Sequence, residues 1–250
     1  MTSNKHFHFE ITSSELRWLA EVLGYVQFPL FDTPKKNESK IDLVENIKIA
    51  EAKIQDRGLA TPLPGSGWQV ERLIIALTQL IANPDLVQVL QIWFKDGTPR
   101  LAFIYPNEDF PLFVEVSDVL QFTLHSDPHE LNTQKQYFIN LPPKLAVAQT
   151  SFQFPMPGQA HSLAWNSSEE LSISNLMGTL DSDGWERLFG QMTTIGVITD
   201  LVSTEDGFDI QEQKCLLWDR KNIWGGLVMA GGVLDFPPLS HAQVLALLGN

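Results

Sequence analysis

The sequence predicts an α+β protein: two duplicated helix-βββ-helix halves, related by a quasi-two-fold, around a central antiparallel sheet with flanking helical bundles. Three observations predict it. Segments opening at Trp68 and Trp185 read alike, with Glu71-Arg72-Leu73 and Glu186-Arg187-Leu188 each leading into an apolar helix. Each then enters a strand ending on Asp-Gly, at Asp96-Gly97 and Asp206-Gly207. Between apolar runs that dipeptide marks a hairpin, because the turn requires positive φ. Beyond the turn one constant register matches Arg100–Ile104 with Lys214–Trp218, Phe110 with Trp224, and Val119-Leu120-x-Phe122 with Val233-Leu234-x-Phe236. A three-stranded unit with one apolar face cannot bury that face alone. Joining its copy edge to edge also hides strand edges that invite aggregation.

The elements follow in order. Residues 6 to 11 alternate: His6, His8 and Glu10 on one face of a short strand, Phe7, Phe9 and Ile11 on the other. Thr12, Ser13 or Ser14 caps the next helix, whose stripe is Leu16, Leu19, Ala20 and Leu23, and Gly24 stops it. "DTPKKNESK" is a polar loop. "IDLVENIKIAEAKIQDRG" is helical, with Leu43, Ile47, Ala50 and Ile54 on one face and Gly58 ending it. "ATPLPGSG" is a turn-rich connector before the first repeat. In the middle of the chain, "LPP" and "FPMPG" are extended linkers and "SSEELSISNLMGTL" is a capped helix. The expected organisation is an N-terminal half over 1–140, with the first repeat at about 68–135; a linker and helix over 141–184; and a second repeat over 185–250, all in one compact domain.

Composition narrows the function classes. The 250 residues are 44% hydrophobic and 19% charged, with 7 Trp and 15 Phe, enough for a sizeable core. A net charge of −13 repels phosphate backbones and anionic lipid, so no nucleic-acid or membrane partner is expected. The single Cys215 permits no intrachain disulfide, the start lacks a signal-peptide pattern, and no apolar run approaches the ~20 residues of a membrane span. These features lead to the expectation of a cytoplasmic protein.

Catalytic chemistry has no clear signature. His6, His8 and Glu10 could offer three metal ligands from one strand face, but an exposed polar face explains them more simply. His125, His129 and Glu130 are not a His-Glu-x-x-His motif, and Pro128 is expected to interrupt any helix there. Cys215 lies in an apolar strand and reads as a buried, inert thiol. The glycine clusters match no phosphate loop or dinucleotide fingerprint. The expectation is therefore no enzyme activity, no cofactor and no metal. What remains is surface: Trp93 and Phe94 beside the first Asp-Gly turn, and Trp218 and Trp224 around "WDRKNIW", are the candidate partner-binding residues.

The order of motifs resembles the EspG family, cytoplasmic chaperones associated with ESX (type VII) secretion. Leu16, Leu19, Val22-Leu23 and Gly24 match its opening helix. Arg57-Gly58-Leu59 matches the end of a later one. Leu77, Leu80, Pro84 and Val87 match a helix running through Pro into a strand. Phe236-Pro237 followed by Val244-Leu245-Leu247-Leu248 is similar to its C-terminal end. The resemblance implies a quasi-two-fold fold and a chaperone or adaptor that binds a helical secreted partner of the PE–PPE type; no binding residue transfers. Two alternatives stand beside it: a small-molecule sensor or hydrolase with a pocket between the halves, and a homodimeric interaction module.

Overall fold

The computed structural model describes residues 7–25, 40–65, 67–95, 99–142, 152–155, 192–204, 207–219, 221–227 and 233–249. His6, Asp96-Gly97, Asp206, the segment opening at Trp185 and the helix expected over 167–180 lie outside them.

Strand β1 (Phe7–Ile11) leads into helix α1 (Ser13–Leu23), whose start is fixed by a reciprocal capping pair. The Glu15 amide donates to Thr12 Oγ1 at 3.2 Å, and the Thr12 amide donates to Glu15 Oε2 at 2.7 Å. Gly24 ends the helix at φ 78°, where a side chain would be strained. Helix α2 (Lys40–Asp56) follows, then a hairpin of β2 (Ala60–Leu63) and β3 (Gly67–Val70). This hairpin corrects the expected connector: its two Pro residues did not prevent pairing in a ribbon so short. Helix α3 (Arg72–Ala82) buries Ile74, Leu77, Thr78 and Ile81 along one side.

The sheet comes next: β4 (Leu86–Phe94), β5 (Pro99–Tyr105), β6 (Leu112–Val116) and β7 (Leu120–Leu124), followed by helix α4 (Pro128–Phe138). After a short β8 (Phe152–Pro155) come β9 (Thr194–Thr204), β10 (Gly207–Trp218), β11 (Ile223–Leu227), β12 (Val233–Phe236), β13 (Pro238–Leu239) and helix α5 (His241–Leu247). Nine strands form one antiparallel sheet in the order β1-β7-β6-β5-β4-β9-β10-β11-β13. Its centre is the β4–β9 ladder from Leu86↔Val202 to Phe94↔Thr194, and on each side of it the chain meanders outward to a terminal helix. The fold is therefore α+β with a large antiparallel sheet.

The constant register expected between the halves does not carry through. Phe110 lies exposed in the β5–β6 loop, whereas Trp224 is paired within β11. Leu120 and Phe122 belong to the main sheet, whereas β12 leaves it to pair with β8 in a separate ribbon. The second hairpin is also longer. Between Ile210 and Glu212 a bulge shifts the register of β10 against β9, and the extra residue flips the faces. Phe208 consequently packs on one side of the sheet and Leu216 on the other.

Both faces are covered. On one, Val87, Val89, Phe103, Leu112, Val114, Phe122 and Leu201 pack against α1, α2 and α3. On the other, Leu90, Ile92, Ile104, Phe113, Ile198 and Leu216 pack against Leu131 and Phe138 of α4 and Val244 and Leu248 at α5. Burying large side chains on both faces of one sheet supplies most of the driving force for folding, at ~25 cal/mol per Å² of apolar surface.

Candidate functional site

The four aromatic residues singled out from the sequence come together at one end of the sheet. Paired positions on adjacent strands share a face. One row runs Phe94–Thr194–Trp218–Ile223–Leu239 on the α4–α5 side, and the next runs Trp93–Ile195–Leu217–Trp224–Pro238 on the opposite side. Exposure separates them. Trp93 is 8% exposed and Trp218 3%, so both indoles are core and present no free surface. Phe94 and Trp224 are half-buried. The Trp218 indole lies against the sheet because residue 196 is glycine: a Cβ there would sit 3.1 Å from Trp218 Cζ3 and 3.0 Å from Ile92 Cδ1.

Polar turns surround this end. The Asp219 carboxylate accepts from the Lys221 amide at 2.6 Å and the Asn222 amide at 2.7 Å, closing the β10–β11 turn. Burial pushes the Asp219 carboxyl up, but these backbone bonds, the Asn222 side chain and the Lys221 charge together hold it below the ordinary aspartate value. The Trp218 carbonyl accepts from both the amide and the hydroxyl of Thr193, and the Thr193 carbonyl accepts from the Lys95 amide at 2.9 Å. The result is a pinned rim, with Phe94 and Trp224 as its half-exposed apolar members.

A second, polar cluster lies on the α4–α5 face, and the sequence reading missed it. Gln88 Nε2 donates to Asp200 Oδ1 at 2.9 Å across the central ladder. Lys214 Nζ approaches Asp200 Oδ2 at 3.3 Å and Glu212 Oε2 at 2.5 Å. Burial lowers the Lys214 pKa, but the Glu212 and Asp200 contacts outweigh it and raise the ammonium above its usual value. From α4, Lys135 reaches under α5 and donates to the Leu248 carbonyl at 2.6 Å. Burial lowers the Lys135 pKa to about 8; the Asp200 charge opposes that shift and the Lys214 charge adds to it. The signal was in the sequence: Lys135 stands with Leu131 and Phe138 on the buried side of α4, and Asp200 and Lys214 interrupt apolar strands.

Several of the remaining candidates have structural partners. His8 Nδ1 lies 3.1 Å from Thr123 Oγ1, and Glu10 Oε1 accepts from Gln121 Nε2 at 3.1 Å; both are cross-strand pairs between β1 and β7. His125 is buried at the end of β7, while His129 is exposed in the first turn of α4. The Glu130 carboxylate accepts from the Ser126 amide and hydroxyl. Pro128 does not interrupt a helix: it is the first residue of α4, where its missing N–H leaves no bond unmade, and Asp127 caps it. Cys215 is buried, with its thiol pushed up to about 12, far from a thiolate at neutral pH. Among the described residues no group of three or more His, Cys, Asp or Glu could hold a metal ion, and no helix is long and apolar enough to cross a membrane.

The described elements define an α+β class built on a broad antiparallel sheet with helices on both faces. The chain is similar to the solved structure of the Mycobacterium tuberculosis type VII secretion system chaperone EspG5 in complex with the PE25–PPE41 dimer. The match has a TM-score of 0.57 at 13% identity and covers 96% of this chain and 94% of that one, which shows a shared fold. No family model matches the chain, and no curated protein matches it in sequence.

Proposed function

We propose that this chain is a non-enzymatic chaperone or adaptor that binds a helical secreted partner of the PE–PPE type in the cytoplasm, for type VII secretion. One observation carries the proposal: the fold is shared end to end with a chaperone described in complex with a PE–PPE dimer. The sheet end supports it. Phe94 on the α4–α5 side and Trp224 on the opposite side are two separate half-buried apolar residues at this end, beside fixed polar turns, and each is a candidate anchor for a partner. Trp93 and Trp218 lie buried in the same two rows and hold those residues in place. In this reading the halves derive from one duplicated unit, the first repeat over about 68–135 and the second over 185–250, joined by 141–184 into one domain. Their meanders from the central β4–β9 pair support that descent.

The test is co-purification and calorimetry with a PE–PPE-type pair, comparing the wild-type chain with Phe94→Ala and Trp224→Ala. The expected result is a saturable complex that each variant weakens roughly tenfold or more, with the urea midpoint measured in parallel to separate binding from folding. Wild-type affinity in both variants moves the site elsewhere on the molecule. No complex with the wild-type chain overturns the chaperone reading.

A further inference from the structure

We propose that helix α5 is a displaceable latch over the α4 face of the sheet, with Lys135 as its catch, and that the latch holds more tightly as the medium becomes alkaline. The helix spans only 7 residues and cannot persist alone in water. Its seat is small: Val244 and the cap residue Leu248 are its buried side chains. The Ser240–Gln243 capping pair fixes one end, and at the other the Leu248 carbonyl accepts from Lys135 Nζ. An amine can donate to that carbonyl with or without its extra proton, so the contact survives deprotonation.

Docking α5 thus requires Lys135 to leave water. Among the described residues, these groups face it. From β9 comes Asp200, already held by Lys214 and Gln88; from β10 comes Lys214, itself paired with Glu212; from α5 comes the Leu248 carbonyl. The remaining attraction does not offset the desolvation, and the closed-state pKa is about 8. With α5 lifted, Lys135 is hydrated and regains its usual affinity for the proton, near the ordinary lysine value of 10.5. The open form therefore binds the proton more tightly. Raising the pH from 7 to 9 removes protons from the closed form first, and the closed-to-open ratio rises roughly tenfold.

The experiment places a trifluoroethyl label at Ala246→Cys, an exposed α5 position, in a Cys215→Ala background, and follows docked and undocked fluorine resonances from pH 7 to 9. The expected result is a roughly tenfold fall in the undocked-to-docked ratio, and a ratio independent of pH in Lys135→Met. Lys135→Arg keeps a cation that does not titrate in this range and serves as a second pH-independent control should the Met variant fold poorly. The same pH response in these variants overturns the proposal, and so does a single unchanging resonance in the parent protein.

Discussion

Arg57, one residue past the end of α2, donates from Nη2 to the carbonyl of Glu10 on the edge strand β1 at 2.6 Å. The same guanidinium pairs with Glu15 of α1 at 3.2 Å and lies 5.0 Å over the Phe9 ring. One side chain thus ties α1 and α2 to the rim of the sheet and occupies an edge carbonyl that would otherwise attract a foreign strand. Glu15 is buried, so the pair also neutralises a carboxylate that has little water.

Arg57→Ala is therefore expected to lower stability by ~2 kcal/mol, read as a shift in the urea midpoint at unchanged slope. Arg57→Lys recovers only part of this, because an ammonium cannot reach Glu10 and Glu15 as a planar fork does. Freeing the β1 edge is also expected to make association depend more steeply on concentration, measured by light scattering. A variant that matches the wild type in both readouts contradicts this role.

Alkaline stability has opposing contributions. The Cys215 thiol is raised by burial from 9.0 to about 12; its contribution is complete below pH 9 and is lost as the pH climbs toward 12. Tyr105, fully buried, is likewise raised and adds to the loss above pH 10. Lys135 is lowered from 10.5 to about 8; its contribution is complete above pH 10.5 and is lost as the pH falls through 8. Stability is expected to rise between pH 8 and 9, to level off, and to fall above about pH 10, each group contributing ~1 kcal/mol per pH unit within its window. Urea unfolding across this range should show a smaller fall in Cys215→Ala and no rise in Lys135→Met.

Much of the fold is legible in local chemistry. Thr12 and Gly24 mark the ends of α1, Ser240 begins α5, and the strands flanking residues 205–206 pair where the second hairpin was expected. These features depend on a few neighbouring residues, so a sequence states them directly. Register and coverage depend on distant chain. Nothing local announces that β12 joins β8 rather than the main sheet, or that a bulge after Ile210 turns the faces of β10 over. Trp93 and Phe94 were expected as surface beside the first Asp-Gly turn; in the structure helices lie on both faces of the sheet, Trp93 is buried, and Phe94 is only partly exposed. Lys135 escaped notice because a lysine on the buried side of a helix reads as a surface residue until the element covering it is known.

Separating folding from binding at the aromatic end requires the right tryptophan. Trp218→Ala empties a core position that packs over Gly196 and Ile92 and is expected to destabilise the protein by ~3–5 kcal/mol. Trp224 is half-buried, and its replacement is expected to cost about half as much or less. Urea midpoints of the two variants check the order. Equal losses mean that Trp224 is also a core residue and cannot report on partner binding.

Gly225 tests how tightly β11, β10 and β13 approach beneath α5. It pairs with Leu216, and its amide donates to the Pro237 carbonyl at 3.1 Å. A Cβ at this position would lie 2.6 Å from Leu239 Cδ1, 2.8 Å from Leu216 Cδ2 and 3.3 Å from the Cys215 carbonyl oxygen. The need for glycine here is close approach rather than backbone conformation. Both leucine methyls belong to the core beneath α4 and α5, so neither can yield without displacing other buried atoms. Gly225→Ala is expected to lower stability by ~1–3 kcal/mol through overpacking. If contact with Leu239 is the main cause, the same substitution made in a Leu239→Ala background should cost less by ~0.5 kcal/mol or more, a coupling readable from a double-mutant cycle of urea midpoints. Equal costs in the two backgrounds assign the crowding to Leu216 and the backbone of Cys215, whose positions are fixed by the β9–β10 ladder.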